Sequence, residues 1–293
     1  MQIQERLENL KNVETIKTLL KNHFPASQNI NIEIKKEYMD ERSYSLVAIY
    51  AIDDTKVVGV ANSDGRKKTD YEASNLIYKH IKSQPQFHIP QPIHYDDENK
   101  IYFREYIPGN SLHNLIKAAD TKVTEILDCV QNFLLWEQKL SYIPNTLTKG
   151  ILTSNFKTNM QLINNPEFRE MCGIILKALD RAYATTTEYV FVHGDVNPNN
   201  IFTNSSCDIT LIDLELAHWG CKEEDFANLN AHLTYSIENY ENHAIEIPKG
   251  FDKTKVQLFT TYYALLIASH VLVWGDKSQG DRIIENIRKN LYT

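Results

Sequence analysis

The sequence predicts an α+β protein of two lobes, in which a smaller lobe holds an antiparallel sheet and a helix and a larger lobe is mostly helical. Alternating apolar and polar residues, separated by turn-forming residues, fill much of the first hundred positions. Apolar residues at helical spacing dominate from Ser111 onward. Pro108, Gly109 and Asn110 stand between the two patterns. We therefore expect lobes of residues 1–108 and 109–293, because such residues usually interrupt helices and strands.

The smaller lobe is expected to begin with helix and to continue as an antiparallel meander. Residues 1–22 have helical spacing, and three runs with strand periodicity follow: Asn29–Tyr38, Ser45–Ile52 and Lys56–Ala61. Short turns join these runs, so neighbouring strands should pair antiparallel. A helix is predicted over Thr69–Ser83, where Thr69 and Glu72 have the spacing of a capping box at its start. Two further strands are predicted over Ile93–Tyr95 and Lys100–Ile107.

The larger lobe is expected to consist of helices with a few short strands inserted between residues 190 and 212. The helices are predicted over Leu112–Lys117, Val123–Leu140, Phe156–Ile163, Phe168–Tyr183, Phe226–Tyr240, Val256–Trp274 and Ser278–Leu291. Val256–Trp274 approaches the length of a membrane span, but its polar residues, among them Gln257 and His270, favour a buried core helix. We therefore predict no membrane span.

Composition limits the class of function. The 293 residues are 42% hydrophobic and 24% charged, which is typical of a soluble globular protein. A net charge of -7 and a pI near 5.8 argue against nucleic acid as a partner and suit a cationic small molecule. The four cysteines form no CxxC pair, and the charged N-terminus does not resemble a signal peptide. We therefore expect free thiols and a cytoplasmic protein.

The segment Tyr189–Leu229 carries the residues with catalytic chemistry. An apolar run stops just before Asp195, and Asn200 follows five residues later. A second apolar run ends directly before Asp213, and Glu215 follows two positions later. Short β-branched and aromatic runs beside Gly, Asn and Pro indicate strands that end in loops, so we expect these polar side chains at strand ends. Carboxylate and amide oxygens in such loops suit Mg²⁺, which usually keeps substrate phosphates among its ligands.

These residues match the requirements of phosphoryl transfer from a nucleotide. The reaction needs in-line positioning, Mg²⁺ on the phosphates and a carboxylate near the attacking hydroxyl. Asp195 follows a glycine at a strand-to-loop turn and is well placed to accept a hydroxyl proton. Asn200 can serve as a neutral oxygen ligand of the metal, and Asp213 can serve as an anionic one.

Four motifs, taken in chain order, resemble the aminoglycoside phosphotransferase and choline kinase superfamily, which has a protein-kinase-like fold. FREYIPGNSL at 103–112 resembles its interlobe linker, and HGDVNPNN at 193–200 resembles its catalytic loop. LIDLELA at 211–217 resembles its metal-binding segment, and DFAN at 225–228 is similar to a motif of the choline kinase branch. The resemblance implies a small-molecule kinase that uses ATP or GTP with Mg²⁺. It would phosphorylate a hydroxyl of an aminoglycoside-, choline-, ethanolamine- or sugar-like acceptor.

The resemblance also implies roles for individual residues. Asp195 is expected to be the catalytic base, and Asn200 and Asp213 are expected to be the ligands of Mg²⁺. The nucleotide is expected to contact the linker backbone and the first hairpin loop, and Glu72 matches the helix glutamate that pairs with a strand lysine. The nucleotide-binding residues are Ser43, Ser45, Glu72, Glu105, Tyr106 and Ile107. Glu215 fits equally a role near a second metal and a structural ion pair.

Two departures from the family pattern leave an alternative open. Gly59 stands on the third strand where the family usually has a lysine or arginine, and the first hairpin loop has no glycine. Either another basic residue replaces that lysine, with Lys35, Lys36, Lys67 and Lys68 as candidates, or nucleotide binding is unusual. The alternative function is a nucleotide-binding pseudokinase or regulatory protein of the same fold. A protein kinase is disfavoured, because the chain after the metal-binding segment is too short for an activation segment.

Three acidic residues after the metal-binding segment are assigned structural roles. We expect Glu223 and Glu224 to be exposed carboxylates at a helix start, where they complement the positive end of the helix dipole. Asp225 is expected to cap that helix or to hold the catalytic loop.

Overall fold

The fold is described from a computed structural model of the chain. The structure describes residues 3–27, 29–39, 43–140, 147–151, 153–204, 208–235, 243 and 245–291. These residues form two compact units. The first unit takes the described residues up to 109 together with 210–217, and the second takes those in 110–140, 147–209 and 218–291. The sequence pattern assigned 210–217 to the larger lobe, whereas this segment packs within the first unit.

The first unit contains an antiparallel sheet of five strands. Its elements are α1 (Ile3–Asn9), α2 (Val13–Leu20), β1 (Ile30–Met39), β2 (Tyr44–Ile52), β3 (Thr55–Asn62), α3 (Lys67–His80), β4 (Phe87–His88), β5 (Pro92–Asp96) and β6 (Ile101–Glu105). The order in the sheet is β1-β2-β3-β6-β5. The predicted meander of β1, β2 and β3 and the two later strands are therefore confirmed. Asn12 separates α1 from α2, because its side chain accepts the Thr15 N–H and caps the second helix.

One face of this sheet packs on the two N-terminal helices, and Gly59 lies on that face. The buried residues of this core include Tyr50 and Phe103 of the sheet and Ile16 of α2. A Cβ atom at position 59 would lie 2.5 Å from Tyr50 Cε2 and 2.9 Å from Ile101 Cδ1. A lysine at this position would enter the hydrophobic core. Close packing therefore explains the glycine, and its presence is not evidence for or against nucleotide binding by the first unit.

The opposite face of the sheet carries polar side chains and packs on α3. Directly paired residues of antiparallel strands share a face, and Ser45 pairs with Asn62 while Val60 pairs with Tyr102. The Tyr71 ring of α3 lies 5.6 Å from the Tyr102 ring. Ser45 and Asn62 therefore lie on the face that α3 covers in part.

α3 begins two residues earlier than predicted. The sequence placed a capping box at Thr69 and Glu72, but the helix starts at Lys67, and Arg66 in the N-cap position provides no side-chain cap. The Arg66 N–H donates instead to Asp64 Oδ1 at 3.0 Å. Lys67 is only 5% exposed. Contacts inside the unit hold this residue and outweigh the local capping preference.

The second unit is mostly helical and has several short strands. Its elements are β7 (Asn110–Ser111), α4 (Leu112–Lys117), α5 (Val123–Glu137), α6 (Ser154–Leu162), α7 (Pro166–Ala184), β8 (Val190–Val192), β9 (Ile201–Thr203), β11 (His218–Gly220), α8 (Glu224–Tyr235), α9 (Lys253–Trp274) and α10 (Lys277–Leu291). The division between the two units falls within β10 (Ile209–Leu211). β7 pairs with β9, and β8 pairs with β11. Ser111, Asn165 and Asp252 cap α4, α7 and α9 by accepting backbone N–H groups.

α9 is the core helix of the second unit. Its residues Phe259 and Tyr262 are buried together with Phe156 of α6 and Phe168 of α7. Within the described part of the chain, α9 is the one helix long and apolar enough to span a membrane, and 50% of that apolar stretch is buried inside the protein. The packing agrees with the core helix that its polar residues predicted.

Substitution of Gly59 tests the close packing of the sheet on the N-terminal helices. Gly59→Ala should lower the free energy of unfolding by about 1–3 kcal/mol, because the added Cβ displaces the Tyr50 and Ile101 side chains. Gly59→Lys should prevent the first unit from folding. Urea denaturation followed by circular dichroism measures both effects.

The matched control is Gly173→Ala in α7. No atom lies within 4 Å of the Cβ that this change adds, so alanine should raise the free energy of unfolding by about 0.5–1 kcal/mol. A Gly59→Ala protein as stable as the wild type would show that the core in front of position 59 is loosely packed.

Candidate functional site

The loop 193–200, which follows β8, is held to α8 by the carboxylate of Asp225. Its Oδ2 accepts the His193 N–H at 2.8 Å, and its Oδ1 accepts the Gly194 N–H at 2.9 Å. Asn228, one helical turn further on, donates to the Gly194 carbonyl at 3.3 Å. Gly194 has a φ of 85°, in the left-handed region that favours glycine. Asp225 therefore holds the loop 193–200, which is one of the two structural roles predicted for it.

The side chain of Asp195 is oriented by two amide groups of the same loop. Asn197 Nδ2 donates to Asp195 Oδ1 at 2.9 Å, and Asn200 Nδ2 donates to Asp195 Oδ2 at 2.9 Å. Asn200 also donates to the Asp195 backbone carbonyl at 3.0 Å. The Asp195 N–H donates to His193 Nδ1 at 3.3 Å. Each carboxylate oxygen therefore has a neutral donor that fixes its direction, and Asp195 itself remains half-buried.

A second buried carboxyl group, that of Glu137 on α5, lies near Asp225. Both residues have no exposed surface. Burial raises the pKa of Asp225 to about 6, although the two N–H donors lower it. Burial raises the pKa of Glu137 well above its usual value, and the charge of Asp225 raises it further. Neither Glu137 oxygen has a hydrogen-bond partner of normal geometry in the described part of the chain. Burial therefore disfavours the charged form of both carboxyl groups, and the two N–H donors of the loop favour the negative charge on Asp225 over that on Glu137.

Sequence reasoning missed Glu137, although a signal was present. Val130, Phe133, Leu134 and Glu137 follow the spacing of one apolar helix face, and all four are buried. A carboxyl group in the place of an apolar residue is rarely buried without a purpose or a partner. That break in the apolar pattern of α5 could have identified it.

Glu223 and Glu224 are buried, so the expectation of exposed carboxylates was wrong. Glu224 accepts the Cys221 N–H and lies 2.8 Å from His218 Nε2. Glu223 accepts the Asp252 N–H at 3.0 Å. Both glutamates satisfy backbone donors of the second unit, which explains their burial.

The first unit contains a second group of candidate residues, around Asp213. This residue follows β10 with a φ of 68°, a conformation that aspartate adopts more readily than most non-glycine residues. The next residue, Leu214, donates its N–H to Asp70 Oδ1 on α3 at 3.0 Å. The bond fixes the metal-binding segment against the first turns of α3.

Lys67 joins three carboxylates of this unit. Its Nζ lies 2.7 Å from Asp213 Oδ1, 2.7 Å from Glu215 Oε2 and 3.7 Å from Asp70 Oδ2. Burial alone lowers the pKa of Lys67, but the three carboxylates outweigh this effect and hold that pKa above its ordinary value. The buried side chain is therefore a charged ammonium. We call Lys67, Asp70, Asp213 and Glu215 the Lys67 cluster.

The members of the Lys67 cluster differ in their other partners. Glu215 also accepts from Asn62 Nδ2 at 3.3 Å and lies 3.5 Å from the Arg66 guanidinium. Burial raises the pKa of Asp70 to about 6, although the charge of Lys67 lowers it. Only 3% of the Asp70 side chain is exposed, against 18% for Glu215 and 32% for Asp213. Asp213 is therefore the carboxylate of the cluster most open to a ligand.

Among the four lysines considered from the sequence, Lys67 is the one that contacts the metal-binding segment. Lys35 pairs with Glu33 on its own strand. Lys36 and Lys68 are exposed. The basic residue nearest to Asp213 in the first unit therefore comes from the start of α3 and not from β3.

The acidic residue of α3 that pairs with Lys67 is Asp70 and not Glu72. Residues five positions apart on a helix, such as Lys67 and Glu72, do not share a face, whereas residues three apart, such as Lys67 and Asp70, do. Glu72 is half-buried and forms no ion pair with the described lysines. The sequence analysis chose Glu72 because it matches the family's helix glutamate that pairs with a strand lysine. It missed the Lys67–Asp70 pair, which the i, i+3 spacing could have indicated.

The two candidate serines lie at the start of β2. Ser43 and Ser45 are both half-buried. Residues 40–42 of the same hairpin loop lie outside the described residues. The structure thus places the two serines on one strand start without assigning them a ligand.

The linker backbone is fixed by hydrogen bonds inside the first unit. The Glu105 N–H donates to the Gln91 carbonyl at 3.0 Å, and the Tyr106 N–H donates to the Lys56 carbonyl at 3.4 Å. Ile107 follows directly and is half-buried. The three linker candidates therefore form a continuous, ordered stretch at the end of β6.

Mg²⁺ requires oxygen ligands, and Asn200 and Asp213 can each supply one. Asn200 uses its amide nitrogen on Asp195, so its oxygen is the atom with ligand chemistry. Among the described residues, no group of three or more His, Cys, Asp or Glu side chains is arranged to hold a metal ion. Mg²⁺ commonly takes one or two protein oxygens and completes its shell with phosphates and water. Each donor, taken by itself, therefore has the chemistry of a ligand that shares its Mg²⁺ ion with phosphates and water.

A cavity of about 640 Å³ lies in the second unit, lined by residues of α8, α9 and α10. Its polar lining includes Asn230, Thr234, Gln257 and Thr260. The lining residues include none from the loop 193–200. We therefore assign this cavity no part in the reaction.

Comparison with known families gives one match that covers most of the chain. Residues 48–243 match the family described as the phosphotransferase enzyme family, APH. The match includes the catalytic loop, the metal-binding segment and the DFAN motif. No curated protein sequence matches the chain significantly.

Solved structures with the same fold bind different small molecules. The choline kinase LicA from Streptococcus pneumoniae has a TM-score of 0.62 at 12% identity, covering 94% of this chain and 99% of that one. A thermostable mutant of the aminoglycoside phosphotransferase APH(4)-Ia in apo form has a TM-score of 0.65 at 15% identity, covering 94% and 100%. The GDP and kanamycin complex of APH(2")-IIia has a TM-score of 0.59 at 13% identity, covering 94% and 98%. These similarities confirm the predicted fold class, and the family match over residues 48–243 confirms the predicted superfamily.

Replacement of Glu137 tests its protonation. The unfolded chain loses this proton above the ordinary pKa of 4.5, whereas the folded protein keeps it because its pKa is raised. As pH rises above 4.5, the wild type should therefore lose up to about 1.4 kcal/mol of stability per pH unit. Glu137→Gln removes this loss, so its advantage in melting temperature should grow between pH 5 and pH 8.

Thermal unfolding at several pH values gives the measurement. The control is Asp128→Asn, which removes an exposed carboxylate from the same helix and should show no such growth. An advantage of Glu137→Gln that stays constant with pH would mean that Glu137 is ionised in the folded protein.

Proposed function

The chain belongs to the phosphotransferase enzyme family, and we propose that it transfers the γ-phosphate of ATP or GTP to a hydroxyl group of a small molecule. The observation that carries this proposal is the fixed geometry of Asp195. Its two carboxylate oxygens accept from Asn197 and Asn200, and the loop that bears it is held by Asp225. An oriented carboxylate beside a ligand for Mg²⁺ is what phosphoryl transfer to a hydroxyl requires.

Asp195 is the proposed base. Its carboxylate would accept the proton of the acceptor hydroxyl as the oxygen attacks the γ-phosphorus. The donation from Asn197 and Asn200 directs the oxygens and keeps the side chain from rotating. General bases held in this way gain from positioning as much as from their pKa, because the reacting hydroxyl must lie within hydrogen-bond distance.

Asn200 and Asp213 are the proposed ligands of Mg²⁺, and the ion would neutralise charge on the nucleotide phosphates when bound. The backbone of Glu105, Tyr106 and Ile107 is the proposed contact for the base of the nucleotide. Ser43 and Ser45 remain the proposed donors to its phosphates. The hydrogen bonds that fix the linker backbone support its assignment as the contact for the base. A backbone that is already fixed loses little conformational entropy when the base binds.

The acceptor is proposed to be a hydroxyl compound of the aminoglycoside, amino alcohol or sugar type. Structural relatives include a choline kinase and proteins solved with kanamycin or hygromycin B. The net charge of -7 favours an acceptor that carries positive charge. Purified protein with Mg²⁺ and ATP or GTP should release nucleoside diphosphate only when a true acceptor of these classes is present.

Asp195→Asn tests the proposed base. The variant should lower kcat by about 10²- to 10⁴-fold, because it removes proton acceptance, while nucleotide affinity measured by calorimetry stays within about twofold. A coupled assay of diphosphate release with the best acceptor from the screen gives kcat. Asp208→Asn removes an exposed carboxylate outside the loop and should leave kcat unchanged.

A different result would favour the alternative function. If the wild type binds nucleotide but releases no diphosphate with any acceptor, and Asp195→Asn changes nothing, the chain is a nucleotide-binding regulatory protein. If the wild type binds no nucleotide with or without Mg²⁺, the proposed phosphotransferase activity is wrong.

A further inference from the structure

The Lys67 ammonium contacts one carboxylate oxygen of Asp213, the residue proposed as an anionic ligand of the metal ion. Its Nζ lies 2.7 Å from Asp213 Oδ1, which is the distance of a charge-assisted hydrogen bond. A cation that binds the Asp213 carboxylate competes with the Lys67 contact, because two positive charges held close together at one carboxylate repel each other.

The other contacts of Lys67 do not depend on Asp213. Its Nζ also lies 2.7 Å from Glu215 Oε2, and Glu215 is further held by Asn62 and Arg66. Asp70 is fixed by the Leu214 N–H and lies on the same helix turn. Glu215 and Asp70 therefore anchor the ammonium, and Asp213, the most exposed of the three carboxylates, is the partner that can be released.

We propose that Lys67 is an internal counter-ion that holds Asp213 in the absence of ligand, and that it releases Asp213 and donates to the nucleotide phosphates when a metal–nucleotide complex binds. This inference rests on the proposed function. It assigns to the start of α3 the phosphate-contacting cation that β3 lacks. It also gives Glu215 the role of an anchor for Lys67 and not that of a metal ligand.

The flexibility of the lysine side chain suits this exchange. Four methylene groups allow the ammonium to turn through a few ångströms while its helix stays in place. Arginine would pair in a planar, two-pronged manner and would release one carboxylate less easily. The Lys67 ammonium also neutralises the negative charge of Asp213, which would otherwise repel Glu215 and an approaching phosphate.

Removal of the Lys67 ammonium should change the affinities for a metal ion and for a nucleotide in opposite directions. Lys67→Met removes the ammonium that contacts Asp213, so Mn²⁺ alone should bind about tenfold more tightly. The same change removes a charged donor to phosphate, so ADP in the presence of EDTA should bind about ten- to hundredfold more weakly. A merely structural lysine would weaken both or change neither.

Electron paramagnetic resonance measures free Mn²⁺, and calorimetry measures ADP binding, so neither readout requires turnover. Lys68→Met is the matched control, because Lys68 is the exposed neighbour on the same helix and should leave both affinities unchanged. Lys67→Arg should weaken ADP binding less than Lys67→Met does, because it retains the charge.

Lys67→Met leaves three carboxylates close together and could unfold the first unit. The double variant Lys67→Met/Glu215→Gln removes one of the negative charges and should restore the wild-type circular dichroism spectrum and a cooperative melt. Its Mn²⁺ and ADP affinities should change in the same two directions as those of the single variant.

The results separate this inference from the proposed function. Wild-type protein that binds ADP, with Mn²⁺ and ADP affinities unaltered or both weakened in the folded Lys67 variants, would overturn the counter-ion role and leave the phosphotransferase proposal intact. Wild-type protein that binds no ADP would overturn both.

Discussion

A charge removed from water has to be balanced by charges or N–H groups of the protein, and this requirement shapes the candidate residues of each unit. In the second unit, the Asp225 carboxylate is balanced by two backbone N–H groups of the loop that carries Asp195. In the first unit, the Lys67 ammonium is balanced by three carboxylates. The polar bonds that make burial possible also fix Asp195 and Asp213, so stability and positioning have the same origin.

The compared structures keep the fold although most of their residues differ from those of this chain. Identity is 12–15%, and the partners of a buried charge can come from different elements. Here the lysine near Asp213 belongs to α3, and Gly59 on β3 packs against the N-terminal helices. A fold retained in this way does not identify the acceptor, which depends on side chains outside the shared motifs.

Periodicity in the sequence predicted most elements, including the bounds of α4 and the strands of the meander. Burial of one face of a helix or a strand determines the spacing of its apolar residues, so this spacing can be recognised in the sequence. The motif at 193–200 also indicated Asp195 and Asn200. Contacts between distant positions were not predictable. The start of α3 depends on the burial of Lys67, and the pairing of Glu137 with Asp225 joins residues 88 positions apart. The face of Gly59 was missed because a short strand does not reveal which neighbours fill its two sides.

The segment 210–217 has a consequence for how the protein is made. The first unit is discontinuous in the chain, since this segment packs with residues up to 109 although the residues on both sides of it belong to the second unit. A nascent chain that has reached residue 109 still lacks Asp213 and Glu215, so Lys67 has Asp70 as its one carboxylate partner of the cluster. The first unit therefore cannot complete its fold until more than two thirds of the polypeptide has left the ribosome, which couples its maturation to synthesis of the second.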